Sequence, residues 1–282
     1  MASTRGAQRT PTWWLVRIGK GLLSLLFISA ALFPLAWMLI AGFKARKEVV
    51  QTPFQFFPEV WKWENYTQIL GDPTFLRTMA WTFAGAVLFT LLSLTVNSMA
   101  AYAFARLDFR FKKTLWVLVI TTMFIPGMTI LLTSFIVVTR MRMLDTLAVL
   151  VIPGAASAAA VFFIRQFYLS IPSSLEEAAM LDGCGRFGIF VRLFLPLSKP
   201  AFVVMGITAF LAYWNSYVWP ILTIVTPERF VVQQYLATFR SERATELGLL
   251  MAGSTLAAAP VIILFLIFQR QIIGNIKMAG LK

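Results

Sequence analysis

The chain has 282 residues, of which 59% are hydrophobic and 13% charged, and its formal net charge is +13. It has no histidine and a single cysteine, Cys184, which excludes an internal disulfide, a thiolate metal site and any nucleophile that depends on histidine. A soluble domain carries about a quarter charged residues, so this composition indicates a membrane protein.

Six long stretches of the chain contain no Asp, Glu, Lys or Arg. About 20 apolar residues cross a bilayer as a helix, and lipid provides no water to satisfy an open backbone. The stretches cover residues 21–43, 78–105, 114–139, 146–164, 200–227 and 247–269. The sequence therefore predicts an all-α membrane protein with six transmembrane helices inside a domain of residues 21–269.

Residues 1–20 form a basic segment ahead of the first span. The apolar run that follows is longer than the core of a cleaved signal peptide and contains Pro34, which favours a signal anchor. After this span, the stretch Pro53–Tyr66 interleaves aromatic and charged residues. Aromatic side chains of this kind are expected at the headgroup boundary of the membrane rather than stacked on nucleic-acid bases.

Basic residues are unevenly distributed between the two sides of the predicted bundle. Most of the 25 lie in residues 1–20, in the loops after the second and fourth spans, and in residues 270–282. Lys and Arg accumulate on the cytoplasmic side, so both termini and the loop at residues 170–197 are predicted to be cytoplasmic. This bias and attraction to anionic lipid explain the net charge, and no nucleic-acid partner is expected.

The fourth span contains Pro153-Gly154 and a run of small residues, Ala155–Ala160. Both features would weaken a soluble helix. In a membrane, small residues let helices approach closely, and neighbouring helices can satisfy the backbone at a break. A span interrupted at Pro153-Gly154 is therefore expected.

The loop after the fourth span carries the polar stretch LEEAAMLDGCGRFGIFVRLFLPL, Leu175–Leu197. Its predicted first helix runs from Leu175 to Asp182 and ends at Gly183, where glycine can adopt a left-handed conformation. Helical spacing predicts one shallow face, made of Leu175, Ala178, Ala179 and Asp182. A capping box is expected at its start, either Ser174 with Glu177 or Ser173 with Glu176.

A second helical piece of this loop is predicted to end at Pro196. Its apolar stripe comprises Phe187, Phe190, Val191, Phe194 and Leu195. Glu176 and Glu177 are adjacent and so point about 100° apart on a helix, which argues against a catalytic carboxylate pair. They are expected to stabilise the helix N-terminus and to pair with basic residues of a partner.

The fifth span carries AYWNSYVWP, Ala212–Pro220. Flat apolar rings with hydrogen-bonding tips suit a sugar. The candidate pathway residues are Tyr213, Trp214, Asn215 and Tyr217. The alternative is that the tyrosines pack between helices and that Trp219-Pro220 marks the outer membrane boundary.

No ionisable residue lies inside any of the six stretches, and no GxxxxGK[ST] motif is present. Ion-coupled carriers usually keep ionisable residues in the membrane, which argues against a secondary carrier. Asn97, Asn215 and backbone carbonyls could still coordinate sodium, so a standalone carrier or channel remains an alternative. An intramembrane enzyme is the weakest alternative, since no constellation of catalytic groups is found.

The segment Glu177–Pro196 resembles the EAA loop of ABC-importer permeases, EAA-x3-G-x9-I-x-LP, with Leu193 at the isoleucine position. The resemblance continues over nearly the whole chain, and it is to the smaller six-span permease of carbohydrate importers of the maltose-transporter class. The similar segments are Asn97–Phe109, Ile171–Gly183, Trp214–Pro220 and Phe268–Gly280.

This resemblance implies a type I ABC-importer permease fold in a bacterial or archaeal plasma membrane, with the EAA loop between spans 4 and 5. It also implies a heterodimer with a second permease, two ATP-binding subunits that use ATP and Mg²⁺, and an external solute-binding protein. The permease itself would catalyse nothing and bind no cofactor. The residues implied in coupling to the ATPase are Glu177, Ala178, Ala179, Asp182, Gly183, Arg186, Leu193, Leu195 and Pro196.

The resemblance leaves the C-terminal contact and the solute open. Family tails reach the ATPase interface, but Met278–Lys282 departs from the common GAxKG ending. A glycerophosphodiester or polyol importer is the alternative to a carbohydrate importer. Phosphate needs cationic or backbone donors, and no basic residue lies inside a span, which favours a neutral solute.

Overall fold

A computed structural model describes residues 11–241 and 246–279, with side chains for residues 17–239 and 246–271. The first ten residues of the predicted N-terminal segment and residues 280–282 of the predicted C-terminal tail lie outside the described residues. The part of the tail that is described, up to Ala279, continues the last helix. Within the described ranges the regular structure is entirely helical, as the sequence predicts.

The helices follow one another with short connections. In chain order they are α1 (Pro11–Ala41), α2 (Arg46–Val49), α3 (Glu64–Leu70), α4 (Pro73–Arg106), α5 (Lys112–Thr122), α6 (Leu131–Arg140), α7 (Leu147–Val151), α8 (Ala158–Ser170), α9 (Ser173–Leu181), α10 (Arg186–Ile189), α11 (Leu195–Leu197), α12 (Lys199–Trp214), α13 (Val218–Thr223), α14 (Val232–Ser241) and α15 (Leu247–Ala279). A π-helical turn, Phe190–Phe194, joins α10 to α11.

Three segments of the described chain are long and apolar enough to cross a bilayer as single helices. They are Arg17–Ala41 in α1, Pro73–Arg106 in α4 and Leu247–Gln271 in α15. The number rises to five if each of two bent helix pairs is one span. Six spans therefore remain a prediction, and the remaining predicted spans are built from shorter pieces.

The third predicted span, residues 114–139, is not one straight helix. Its two halves, α5 and the segment Gly127–Arg140, meet at an angle of 97°. Pro126 lies at the bend. Proline cannot donate a backbone hydrogen bond and disfavours a helical conformation in the residue before it, so the helix breaks here.

The fourth predicted span is interrupted where Pro153-Gly154 predicts a break. α8 has 13 residues, which at 1.5 Å per residue is about 20 Å long. A bilayer core is about 30 Å thick, so α8 crosses it only together with α7 and the turn between them.

The fifth predicted span, residues 200–227, is also interrupted. α12 ends at Trp214 and α13 begins at Val218, which leaves Asn215–Tyr217 outside both helices. At its other end, α12 is bent by 80° relative to the preceding segment Arg186–Leu197. Each predicted span from the third to the fifth is thus a broken one.

α4 lies at the centre of this arrangement and packs most extensively against α12 and α8. Its first half contributes Ala86 to one group of buried side chains, which includes Phe210 and Trp214. Its second half contributes Tyr102 to another group, which includes Phe194. α1 contacts mainly α15, and its residues 17–35 are exposed, which leaves a long apolar surface suited to lipid.

The loops that follow α6 and α13 are joined through Asp145. Its Oδ1 accepts hydrogen bonds from the backbone N–H groups of Val225 (3.2 Å) and Thr226 (3.1 Å), and its Oδ2 accepts one from the Thr226 hydroxyl. The Arg229 guanidinium lies 3.3 Å from the same Oδ2. The hydrogen bond from the Thr226 hydroxyl is the main reason why the pKa of Asp145 is lowered.

Candidate functional site

The candidate site is the segment Ser173–Leu197, hereafter the 173–197 element. α9 begins at Ser173, directly after Pro172, and no side chain caps it. The predicted capping box is therefore wrong in both registers, because the helix starts one residue before Ser174 and the proline itself occupies the capping position. The proline ring fixes a backbone angle compatible with helix entry but supplies no side-chain acceptor, and only its backbone carbonyl accepts, from the Leu175 N–H.

The predicted end of this helix at Gly183 is confirmed. Gly183 has φ +80°, and its N–H donates to the Met180 carbonyl (3.0 Å) while the Cys184 N–H donates to the Ala179 carbonyl (2.9 Å). These two bonds form a Schellman motif, which needs a left-handed residue at the glycine position. The chain then turns into α10, so the 173–197 element is bent as the sequence predicts.

The outer surface of the 173–197 element is shallow and combines apolar with charged side chains. Leu175, Ala178 and Asp182 of the predicted face are exposed, and Ala179 is half-buried. Leu181 is 90% exposed and Phe187 is 70% exposed. Leu181 was not singled out by sequence reasoning, although its position three residues after Ala178 places it on a neighbouring part of the same surface.

The two adjacent glutamates have different environments. Glu177 is exposed, whereas Glu176 is 6% exposed. Glu176 Oε1 lies 2.6 Å from Arg186 Nη1, and Oε2 lies 3.8 Å from Arg106 Nε. The expectation that both carboxylates pair with a partner's basic residues is wrong for Glu176, because its oxygens face arginines of this chain.

The predicted apolar stripe of the second helical piece is only partly correct. Phe190 and Phe194 are buried, but Phe187 and Val191 are exposed. Phe187 precedes the π-helical turn and Val191 lies within it, so the two exposed positions have no single local cause. Of the remaining residues implied in coupling, Leu193 and Leu195 are half-buried, and Pro196 and Arg186 are exposed.

The candidate pathway residues do not lie together. Tyr213 and Trp214 are 5% and 2% exposed, and the Trp214 indole N–H donates to the Ala257 carbonyl in α15 at 3.2 Å. Trp214 therefore packs between helices, whereas the buried Tyr213 lines a small cavity beside Gly154 and Ser216, and a pathway role stays a prediction for both. Asn215 is exposed and Tyr217 is 45% exposed, so for these two it stays a prediction as well.

The breaks in the fourth and fifth predicted spans border the same small cavity. It has a volume of about 200 Å³, and its lining includes Gly154 from the first break and Ser216 from the second. Broken helices with irregular backbone at membrane depth are typical of solute sites in transporters. Sequence reasoning identified each break separately, but their proximity depends on tertiary packing.

Asn97, considered above as a sodium ligand, is instead a structural residue. It is 1% exposed, and its amide nitrogen donates to the Ala155 carbonyl (2.8 Å) while its amide oxygen accepts from the Ser157 N–H (2.8 Å). The amide thus satisfies backbone groups on the far side of the break in the fourth span. No part of the amide is left directed at an ion.

Comparison with known proteins identifies the family. Residues 97–277 match the family described as "Binding-protein-dependent transport system inner membrane component". The chain is 32% identical over 281 residues to the arabinooligosaccharides transport system permease protein AraQ of Bacillus subtilis (strain 168), covering 98% of this chain and 99% of that protein. It is 30% identical over 276 residues to AraQ of Halalkalibacterium halodurans, covering 95% and 96%.

A solved structure supports the same fold. The chain matches, with a TM-score of 0.80 and 23% identity, a chain of a bacterial ABC transporter involved in the import of the acidic polysaccharide alginate, covering 94% of this chain and 99% of that one. Together with the family match over most of the sequence, this likeness extends from α1 to α15. The chain belongs to the family of inner membrane components of binding-protein-dependent transport systems.

Proposed function

We propose that this chain is the smaller, six-span permease subunit of an ABC importer for a carbohydrate. The observation that carries the proposal is the end-to-end similarity to two arabinooligosaccharide permeases, at 30% and 32% identity. A further relative, the diacetylchitobiose uptake system permease protein NgcG of Streptomyces coelicolor, is 26% identical over 92% of this chain. The absence of basic residues inside the predicted spans also suits a neutral solute.

In the proposed six-span arrangement, both termini and the 173–197 element are cytoplasmic. Support comes from the charge bias of the loops and from the exposed, mixed apolar and charged surface of this element. Leu181 and Phe187 are exposed on the same element as the exposed charged residues Glu177 and Asp182. Such a surface is more easily explained by a protein partner than by solvent.

The partner of the 173–197 element is an ATP-binding subunit. Glu177, Ala178, Ala179 and Asp182 lie on or beside the exposed surface, while Gly183 sets the bend. Two such subunits hydrolyse ATP with Mg²⁺, and their closure pushes this element and its counterpart in a second permease. This chain itself binds no nucleotide and delivers no catalytic group.

The solute crosses between this chain and the second permease after release from an external binding protein. In this chain, the segment Asn215–Tyr217 offers an exposed amide and an exposed phenol at the break in the fifth span. Hydrogen-bonding groups beside an aromatic ring suit a carbohydrate. A standalone sodium-coupled carrier is less well supported, because the Asn97 amide is fully used by the backbone of the fourth span.

The docking surface is tested with Leu181→Asp, which puts a charge at the most exposed apolar side chain of the 173–197 element. The ATP-binding subunits are expected to be lost when the variant permease is purified from membranes. Phe111→Asp is the matched control, because Phe111 is 63% exposed and lies in a different predicted cytoplasmic loop. If the ATP-binding subunits remain bound to Leu181→Asp, the docking surface is assigned wrongly.

The solute class is tested by thermal shift of the cognate binding protein against oligosaccharides, polyols and glycerophosphodiesters. Oligosaccharides are expected to raise its melting temperature, and the same compounds should be taken up by proteoliposomes only when ATP is present. Stabilisation by glycerophosphodiesters alone would replace the carbohydrate proposal with its alternative. Gradient-driven uptake by the permease without ATP-binding subunits would overturn the importer assignment as a whole.

A further inference from the structure

The Glu176 side chain contacts both the 173–197 element and the end of a membrane helix. Its carboxylate accepts a hydrogen bond from Arg186 of α10 (2.6 Å), whose side chain is 54% exposed, and lies 3.8 Å from Arg106 Nε at the end of α4, an ion pair without a hydrogen bond. The side chains of Glu176 and Arg106 are 7% and 12% exposed. Removing one member of a buried ion pair strongly destabilises the folded protein, because a buried charge is then left without a partner.

Arg106 connects this carboxylate to a further helix. Its Nη2 donates to the Tyr168 carbonyl in α8 at 2.7 Å and to the Ile171 carbonyl, two residues before α9 begins. Its guanidinium also lies over the Phe194 ring of the π-helical turn, 5.2 Å from the centroid. One arginine therefore contacts the ends of α4 and α8, the start of α9 and the turn that leads into α12.

A second contact joins α4 to α10 near the same place. The Tyr102 hydroxyl donates to the Arg186 carbonyl at 3.2 Å, and the Tyr102 ring packs 5.0 Å from the ring of Phe194. The inner side of the 173–197 element is thus held by charged, hydrogen-bonded and aromatic contacts. Its outer side contains Gly183 and exposed side chains, and has no comparable contacts among the described residues.

We propose that Glu176 is a positioning residue that makes α9 and α10 move as one body with the ends of α4 and α8. The inference rests on the proposed coupling function of the 173–197 element. Glu177 faces outward to the ATP-binding subunit and receives the displacement. Glu176, about 100° away on the same helix, transmits it inward through Arg106, because separating that pair would expose an unpaired buried charge.

The test is Glu176→Gln in the full importer, reconstituted in proteoliposomes with its binding protein. Glutamine preserves the size of the side chain and removes its charge. The ATP-binding subunits are expected to remain bound, while the number of ATP molecules hydrolysed per solute imported rises at least ten-fold. Glu176→Asp, which keeps the charge, should restore part of the coupling. Asp108→Asn is the matched control, because Asp108 is an exposed carboxylate paired with Lys112 near the same end of α4.

An unchanged ratio of hydrolysis to import in Glu176→Gln would overturn the proposal, even if its melting temperature fell, because a purely structural role predicts lower stability with normal coupling. If Glu176→Gln does not accumulate, Arg106→Lys provides the test. Lysine keeps the positive charge but lacks the planar fork that reaches several acceptors, so coupling must fall in the same way, and normal coupling would refute the proposal. Failure of the docking surface itself is recognised separately, by retained ATP-binding subunits in Leu181→Asp.

Discussion

The Asn97 side chain holds the residues around the break in the fourth predicted span in place. Asn97→Ala should therefore increase local opening of this segment. Asn97 lies in the middle of α4, and its amide bonds to the Ala155 carbonyl and the Ser157 N–H across the break, both at 2.8 Å. It also donates to Ser93 in its own helix. Alanine removes all of these bonds and leaves two backbone groups of the break without a partner.

The free energy of local opening that the variant loses can be estimated from the two hydrogen bonds that join Asn97 to the residues at the break. Side-chain hydrogen bonds between membrane helices are worth about 0.6 kcal/mol on average and up to about 1.7 kcal/mol. Ala155 is 3% exposed and Asn97 1% exposed, so water cannot easily replace the amide. Two bonds together should therefore contribute about 1 to 3 kcal/mol to keeping the segment closed, which corresponds to a factor of about 5 to 100 in the opening equilibrium.

Hydrogen exchange of the purified permease in detergent measures this opening directly. The Ser157 amide should exchange about 5 to 100 times faster in Asn97→Ala, because local opening exposes it. Thr90→Val is the matched control, since the Thr90 hydroxyl donates only to the Ala86 carbonyl one turn earlier in the same helix. Equal protection of Ser157 in the two variants would refute the role assigned to Asn97.

Three further predictions follow from single contacts. Gly85→Ala should lower the melting temperature, because its new Cβ would lie 2.0 Å from the Tyr213 hydroxyl oxygen; Tyr213→Phe should recover part of the loss, and no recovery would contradict the packing explanation. Gly183→Ala should reduce copurification of the ATP-binding subunits more than Gly183→Asn does, since Gly183 has φ +80° and asparagine tolerates this region better; equal effects would argue against backbone strain. The pKa of Asp145 is lowered, chiefly by the hydrogen bond from Thr226, so its stabilisation is complete above about pH 4, the ordinary value, and is lost as the pH falls through the lowered folded-state pKa. Thermal unfolding between about pH 2 and pH 6, a range that extends well below the ordinary pKa, should show a smaller acid loss in Asp145→Asn, and an identical acid loss would exclude Asp145 as its source.

The features that the sequence predicted well depend on local rules. Long charge-free stretches predicted α1, α4 and α15, because a bilayer fixes the length of a helix that crosses it. Gly183 predicted a helix end, because a left-handed residue is required there. Pro153-Gly154 predicted a break, because proline removes a backbone donor.

The features that the sequence missed depend on contacts between distant residues or on small changes of register. The sequence does not show which of Glu176 and Glu177 faces the membrane helices. The contact of Glu176 with Arg106, which lies 70 residues earlier in the chain, identifies Glu176 as the inner residue. A π-helical turn at Phe190–Phe194 is not anticipated by any rule of 3.6-residue spacing. Trp214 has a flat ring with a hydrogen-bonding tip, as sugar-binding residues do, but its position in the core follows from how α12 and α15 pack.

Three irregular points of this fold, one span break and two helix ends, form hydrogen bonds with α4. Asn97 of α4 satisfies the break in the fourth predicted span, the Thr82 hydroxyl of α4 accepts the Val232 N–H at the start of α14 (2.9 Å), and Arg106 of α4 satisfies the end of α8. Irregular backbone is costly inside a membrane unless neighbouring groups bond to it. Because the partners come from a single unbroken helix, a displacement of α4 must be felt at each of these points, and the end of α4 is also where Glu176 is bound. The same helix thus connects the proposed ATPase-docking surface with the cavity between the interrupted spans.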